Sequence, residues 1–467
     1  MTARRDLLRL PLIGAVLRHR HGRLFFQTLF FGGALVLVID GFTGDQFAPF
    51  NLATIIPWVH MRGALVIALL LAGNLFCMAC PFALPRTLAK RLSVRGRRFP
   101  RALRGKWIAI ATLILLFFTY EWLNFWSSPL LTAWLIVAYF AAAFIMEALF
   151  SESAFCKYVC PLGAFNFTYA AVAPTQIGVH DPQVCRTCVG KECLNGSYAP
   201  ANVILIDRIG TDGAPEATHT HTPQGTPGCG TLLFAPQITG NSDCTLCLDC
   251  ARACPHQNVG WFTRTPGAEI TRPEAAPRRW DAALLIVVLA ALGLVNAFGM
   301  VPPVYPLIQA IGEATGLARL GVPDRVIEGV ALAVVFAVGI GAVVLLTLLA
   351  AGLARRAGGQ HEPLRAVYGA FAPALIPVSF GVWGAHYAFH FLIAFFDVEL
   401  IGLVQMLALL GGFVGSLWAA QAIAARRYGR RAPLALLPWA GVVLAIMLCA
   451  YWLFTLPMEM RGTILFS

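Results

Sequence analysis

Cys244 to Pro255 reads CTLCLDCARACP, four cysteines at the spacing C-x2-C-x2-C-x3-C-P. Such a run holds thiolates on a [4Fe–4S] cluster: the short spacings curl soft ligands around one small volume, and the proline turns the chain away. Where two clusters sit together, the fourth cysteine crosses to the other one. Cys244, Cys247 and Cys250 are therefore expected on one cluster and Cys254 on a second. A zinc site would show paired C-x2-C units rather than this dense run before a proline.

A second set precedes it. Cys185, Cys188 and Cys193 stand in CRTCVGKEC, a C-x2-C-x4-C pattern that Cys254 would complete. The run at 244–250 then needs a fourth thiolate, and the next available cysteine is Cys229 in PGCG. Residues about 194–228 are rich in Gly, Pro and Thr and read as a loop inserted into the motif, with His219 and His221 as solvated loop residues.

The elements that must position these cysteines are membrane helices. Of the 467 residues 58% are hydrophobic and 12% charged, and the mean hydropathy is +0.70, the composition of a polytopic membrane protein. The net charge of +12 sits beside apolar runs, which reads as topology and not as a nucleic-acid surface. The thirteen cysteines fall in ligand spacings, which implies a reducing compartment, and no C-x-x-C-H motif for covalent haem occurs.

Arg4, Arg5, Arg9, Arg18, Arg20 and Arg23 put the N-terminus in the cytoplasm, ahead of a first span read as a retained helix. Four spans are expected near 24–41, 63–84, 107–126 and 130–150, with an outer loop holding Asp45, His60 and Arg62. Five more are expected near 281–301, 326–353, 367–395, 402–424 and 435–456, which leaves the C-terminus outside. Pro373 and Pro377 interrupt the seventh without having to break it. The fold expected is mainly α: an N-terminal membrane domain over 1–161, an inserted cytoplasmic two-cluster α+β domain over 162–279, and a C-terminal membrane domain over 280–467. The inserted domain would be ferredoxin-like.

Two Cys-Pro motifs, CMACP with Cys77 and Cys80 and CKYVCP with Cys156 and Cys160, fall at the inner ends of two inward-running spans. Together with the downstream run they resemble the NapH- and NosR-type membrane polyferredoxin family over about residues 60–265. The resemblance implies electron transfer between the quinone pool and a redox partner protein, in a bacterial inner membrane. The chain departs from the family in having C-x2-C-P at Cys77, a stretched first cluster motif with its long insert, and five further spans. The four membrane-face cysteines would bind a third cluster or act as redox thiols.

In VWGAHYAFHFLIAFF, His386 and His390 lie four apart inside a span, where an imidazole is a functional candidate by default. With His60 and Glu121 they suggest a haem b or a quinone site; two histidines on one helix face cannot both ligate one haem. Asp40 and Glu147 stand at span ends, and Cys449 reads as packing. No acid–base pair or nucleophile stands beside the cysteines, so the chain reads as an electron-transfer component of an oxidoreductase system rather than a stand-alone enzyme. The competing expectations are a maturation factor that reduces a metal or thiol for another respiratory enzyme, and a redox-sensing regulator. A transporter would show an internal repeat, which is not found.

Overall fold

The computed structural model describes residues 4–19, 21–85, 97–150, 152–197, 225–277, 279–359, 362–393 and 395–458. The insert with His219 and His221, Arg20, and most of the basic stretch after residue 85 lie outside the described residues. The protein is mainly helical. Seven helical runs are long and apolar enough to cross a membrane. Helices are what such sequences form, because a lipid-facing backbone must satisfy its polar groups internally.

After a short helix, α1 (Pro11–Arg18), the first long apolar helix is α2 (Gly22–Thr43). The second, α3 (Leu52–Ala72), begins about ten residues earlier than expected. Its segment Ile55–Met61 is a π-helix. Pro57 brings no N–H, and the wider turn accommodates it. His60 and Arg62, expected in an outer loop, therefore lie inside a helix. The helix ends at Gly73, whose φ of 84° suits glycine. Cys77 then sits on a separate short helix, α4 (Leu75–Ala79), and not on the end of the span. A shorter apolar helix, α5 (Trp107–Trp122), and α6 (Pro129–Leu149) follow, and α6 is capped by Ser128. The boundary expected at 162 falls inside α7 (Pro161–Tyr169), whose Phe165 and Tyr169 pack into the core shared with the membrane helices.

Strand β1 (Thr175–Val179) opens a cysteine-rich unit, which continues through two short helices, α8 (Pro182–Thr187) and α9 (Glu192–Asn195). It closes with α10 (Asp249–Ala253) and strand β2 (Val259–Thr263). The strands pair antiparallel with Ile177 opposite Trp261. Residues read from sequence only as a basic N-terminus pack here: Leu8 and Leu17 join Ile177, Val259 and Trp261 in one core, and Asp6 accepts from the Trp261 N–H.

The remaining helices are α11 (Trp280–Phe298), α12 (Val304–Thr315), α13 (Asp324–Gly358), α14 (Leu364–Leu392), α15 (Val398–Tyr428) and α16 (Ala432–Thr455). The expectation of nine spans counts Trp107–Trp122 as one and divides Val398–Thr455 at Gly429–Arg431. Helices α11 and α14 are buried along most of their length, while the outer helices show Leu115, Leu346, Leu410 and Leu448 to their surroundings, as lipid-facing helices do. Where α14 crosses α15, a Cβ on Gly412 would lie 2.6 Å from the Pro377 carbonyl, so only glycine permits the contact. Helix α14 runs through Pro373 and Pro377 as the neighbours take up the freed groups: the Val378 N–H donates to Ser416 Oγ at 2.8 Å.

Arg264 joins the cysteine-rich unit to the membrane-side core. Its guanidinium donates to the carbonyls of Ala170, Ala171 and Ala173, to Gln176, and to Glu269 at 2.5 Å. Glu269 in turn accepts from the Asn241 N–H. Because both charges are buried, Arg264→Met would leave Glu269 uncompensated and cost about 3–5 kcal/mol. The expected result is trypsin cleavage of the cysteine-rich unit at a clearly lower temperature than in the wild type; unchanged cleavage would show that the hub carries no stability.

Candidate metal centres

The antiparallel pairing of β1 and β2 returns Cys254 to the cysteines that follow β1. Cys185, Cys188, Cys193 and Cys254 line one space together with Val184, Phe234 and Val259. Asn258 clamps the start of α8: its side chain accepts from the Asp181 N–H at 2.9 Å and donates to the Asp181 carbonyl at 2.7 Å and to Cys185 Sγ at 3.2 Å.

Cys229, Cys244, Cys247 and Cys250 form a second group, each of the last three near enough to Cys229 to feel its charge as a thiolate. The Leu233 N–H donates to Cys229 Sγ at 3.3 Å, and the Cys229 N–H donates to the Cys193 carbonyl at 3.0 Å, which ties the two groups together. Burial pushes the Cys193 thiol up to about 11, the Cys244 thiol to about 12 and the Cys247 thiol to about 11. Thiols in this state shed their protons only to a cation that takes the proton's place.

Six of the seven non-glycine residues with left-handed backbone among the described residues lie in these cysteine loops: Lys191, Leu232, Asp243, Leu246, Leu248 and Gln257. Left-handed backbone costs roughly 1–2 kcal/mol per residue. The strain turns amides toward sulfur: the Lys191 N–H bonds Cys188 and the Leu246 N–H bonds Cys244, in each case favouring the thiolate. Strain concentrated in this way marks a functional loop.

The third group lies against the membrane helices. Cys77, Cys80, Cys156 and Cys160 line one space with Arg23, Phe82, Phe155 and Thr245. Asn166 donates to Cys77 Sγ at 3.2 Å, and the Gly163 N–H donates to Cys160 Sγ at 3.2 Å, where Pro161 starts α7. This group abuts the second: the Asn74 side chain donates to the Cys244 carbonyl at 2.5 Å, and Thr245 reaches the cavity wall. Cationic side chains surround the junction. Arg23 pairs with Asp249 at 2.7 Å, and Lys106 pairs with Asp243 at 2.5 Å.

Among the described residues, no three His, Cys, Asp or Glu side chains close around a point as the ligands of a single ion do. The first and third groups instead line two separate spaces. All-thiol donors, amide hydrogen bonds to sulfur and nearby cations suit an iron–sulfur cluster.

The tentative haem or quinone residues divide. His386 and His390 are buried with ring centroids 5.1 Å apart, and both nitrogens of His386 lack a hydrogen-bond partner among the described residues. His60 lies instead against Phe391 and Phe395, because the π-segment of α3 turns it to that flank of α14. Glu121 accepts from Asn296 at 2.7 Å. Cys449 lines an apolar groove between α11, α13 and α16. Sequence reasoning missed Asn166 and Asn258, which carry no motif, and Arg62, whose signal was a charge within the apolar stretch 52–72.

Asn258→Leu keeps the volume but leaves the Asp181 N–H and carbonyl without this partner, at a cost of about 2 kcal/mol or more. Hydrogen exchange at residues 181–188 is expected to quicken, and unchanged protection would remove Asn258 as the clamp. Comparison of the chain with family models, with curated proteins and with solved structures returned no match.

Proposed function

We propose that this chain is a membrane iron–sulfur protein that relays electrons between a quinone pool, or a haem in the bilayer, and a redox partner. Its relatives by resemblance are the NapH- and NosR-type membrane polyferredoxins. The observation that carries the reading is the sorting of twelve cysteines into three groups of four that succeed one another toward the membrane helices. Cys185, Cys188, Cys193 and Cys254 would hold the outermost cluster, Cys229, Cys244, Cys247 and Cys250 the middle one, and Cys77, Cys80, Cys156 and Cys160 a third. Bound there, a [4Fe–4S] cluster exchanges one electron at a time with little rearrangement.

The protein's part is to exclude water, orient sulfur and balance charge. Phe82, Phe155 and Phe234 wall the cavities. Asn166, Asn258 and the backbone amides donate to sulfur and so favour its charged form, and Arg23, paired with Asp249, lines the third space.

In this reading the nine apolar helices all span, and the ferredoxin-like unit faces the cytoplasm of a bacterial inner membrane. Support comes from the basic residues that gather on its side: the N-terminal segment packs on the unit, and Arg426, in the last helical turn of α15 ahead of Arg430 and Arg431, donates to the Thr271 carbonyl. Such an excess marks the inner face.

Full-length protein reduced with dithionite and freed of the excess should be re-oxidised by duroquinone in proteoliposomes. With Cys77→Ser and Cys156→Ser combined, re-oxidation is expected to slow at least about tenfold while the two remaining clusters still reduce. Equal rates would take the third group out of the relay. Chemistry confined to those four thiols, with no electron passed to quinone, would favour a maturation role.

A further inference from the structure

We infer that Arg62 and the aromatic side chains around it form the binding site for a quinone head group, a planar ring with carbonyl oxygens drawn from the bilayer. Arg62 lies inside α3 and is only 9% exposed. A cation at membrane depth is costly and is kept for a reason. Among the described residues no carboxylate pairs with it. Among the same residues it makes one hydrogen bond, to Tyr120 Oη at 3.2 Å, and its guanidinium lies 4.5, 4.3 and 5.3 Å from the ring centres of Trp58, Tyr120 and Tyr387. The ring faces offset part of the burial cost, but a guanidinium carries five N–H donors and the protein answers one.

Arg62 lines a cavity walled otherwise by apolar and aromatic groups such as Leu113, Leu116, Phe117 and Phe165. That is the form of a small-molecule site: a concave apolar surface with few polar groups to fix orientation. Flat walls suit a flat ring, and a lone cation suits a carbonyl oxygen that gains negative charge on reduction. A phosphate head group would bring more charge than one arginine balances.

Position connects the cavity to the cysteines. Pro161 and Leu162 follow Cys160 directly and line this cavity, and Leu162 also lines the third cysteine space. A ring held by Arg62 would lie one side chain away from that group. His386 and His390, the candidates by sequence, do not line the cavity; Tyr387 between them does. The inference takes its meaning from the electron-relay reading, but its test reads binding alone.

The test is equilibrium dialysis of labelled 2,3-dimethyl-1,4-naphthoquinone against the detergent-solubilised full chain, with iron measured on the same sample. One saturable site is expected, weakened about tenfold or more in Arg62→Gln by loss of a charge-assisted hydrogen bond and unchanged in His60→Ala. Leu116→Trp, which fills the cavity and leaves the arginine in place, should also block binding, so the outcome does not hang on one variant. Saturable binding that survives both changes, or no saturable binding, would overturn the assignment. Iron-loaded protein that binds no quinone counts against this site alone. Iron-free protein that still binds it counts against the relay and leaves the site standing.

Discussion

The pairing of β1 with β2 is the constraint on which the cysteine-rich unit depends. It joins residues about 80 apart in sequence, a loop closure costing roughly 4 kcal/mol in chain entropy. What offsets that cost is a small core in which Leu8 and Leu17 from the N-terminal segment cover Ile177, Val259 and Trp261. Arg264 then fixes the pair to the segment after α7 through three carbonyl contacts, to Ala170, Ala171 and Ala173. Without the return of β2, Cys254 would not stand with Cys185, Cys188 and Cys193, and the crossing pattern of the cysteines would have no geometry.

A second economy of structure lies at the membrane face. The break at Gly73 lets α4 leave the line of α3, and Pro161 starts α7 in a new direction, so two Cys-Pro segments meet around one space. Asn74 and Thr245 bring the middle group against the same place. The left-handed residues Asp243, Leu246 and Leu248 are the local strain that this convergence requires.

Much of this arrangement was legible in the sequence and some was not, for physical reasons. Cysteine spacing is short-range geometry, which is why Cys185, Cys188 and Cys193 line one wall; that Cys254 joins them, and that Cys77 and Cys80 share a space with Cys156 and Cys160, are tertiary facts that spacing does not contain. Long apolar runs announced the membrane helices, because lipid leaves the backbone no other solution. The start of α3 was misplaced because Pro57, His60 and Arg62 look like a loop; a π-helix and ring faces that accept a cation are tertiary solutions without a sequence signature. The docking of α1 on the unit was hidden too, since Leu8 and Leu17 sit among arginines that read only as topology. His60 and Glu121 face Phe391 and Asn296, and helix azimuth is not contained in hydropathy.

The central claim is that three groups of thiols hold three clusters. Anaerobic determination of iron and acid-labile sulfide on the purified full-length chain tests it most directly, with the electron paramagnetic resonance spectrum of the dithionite-reduced sample. The account predicts about twelve iron and twelve sulfide per chain and three cluster signals. About eight iron per chain or fewer would contradict it.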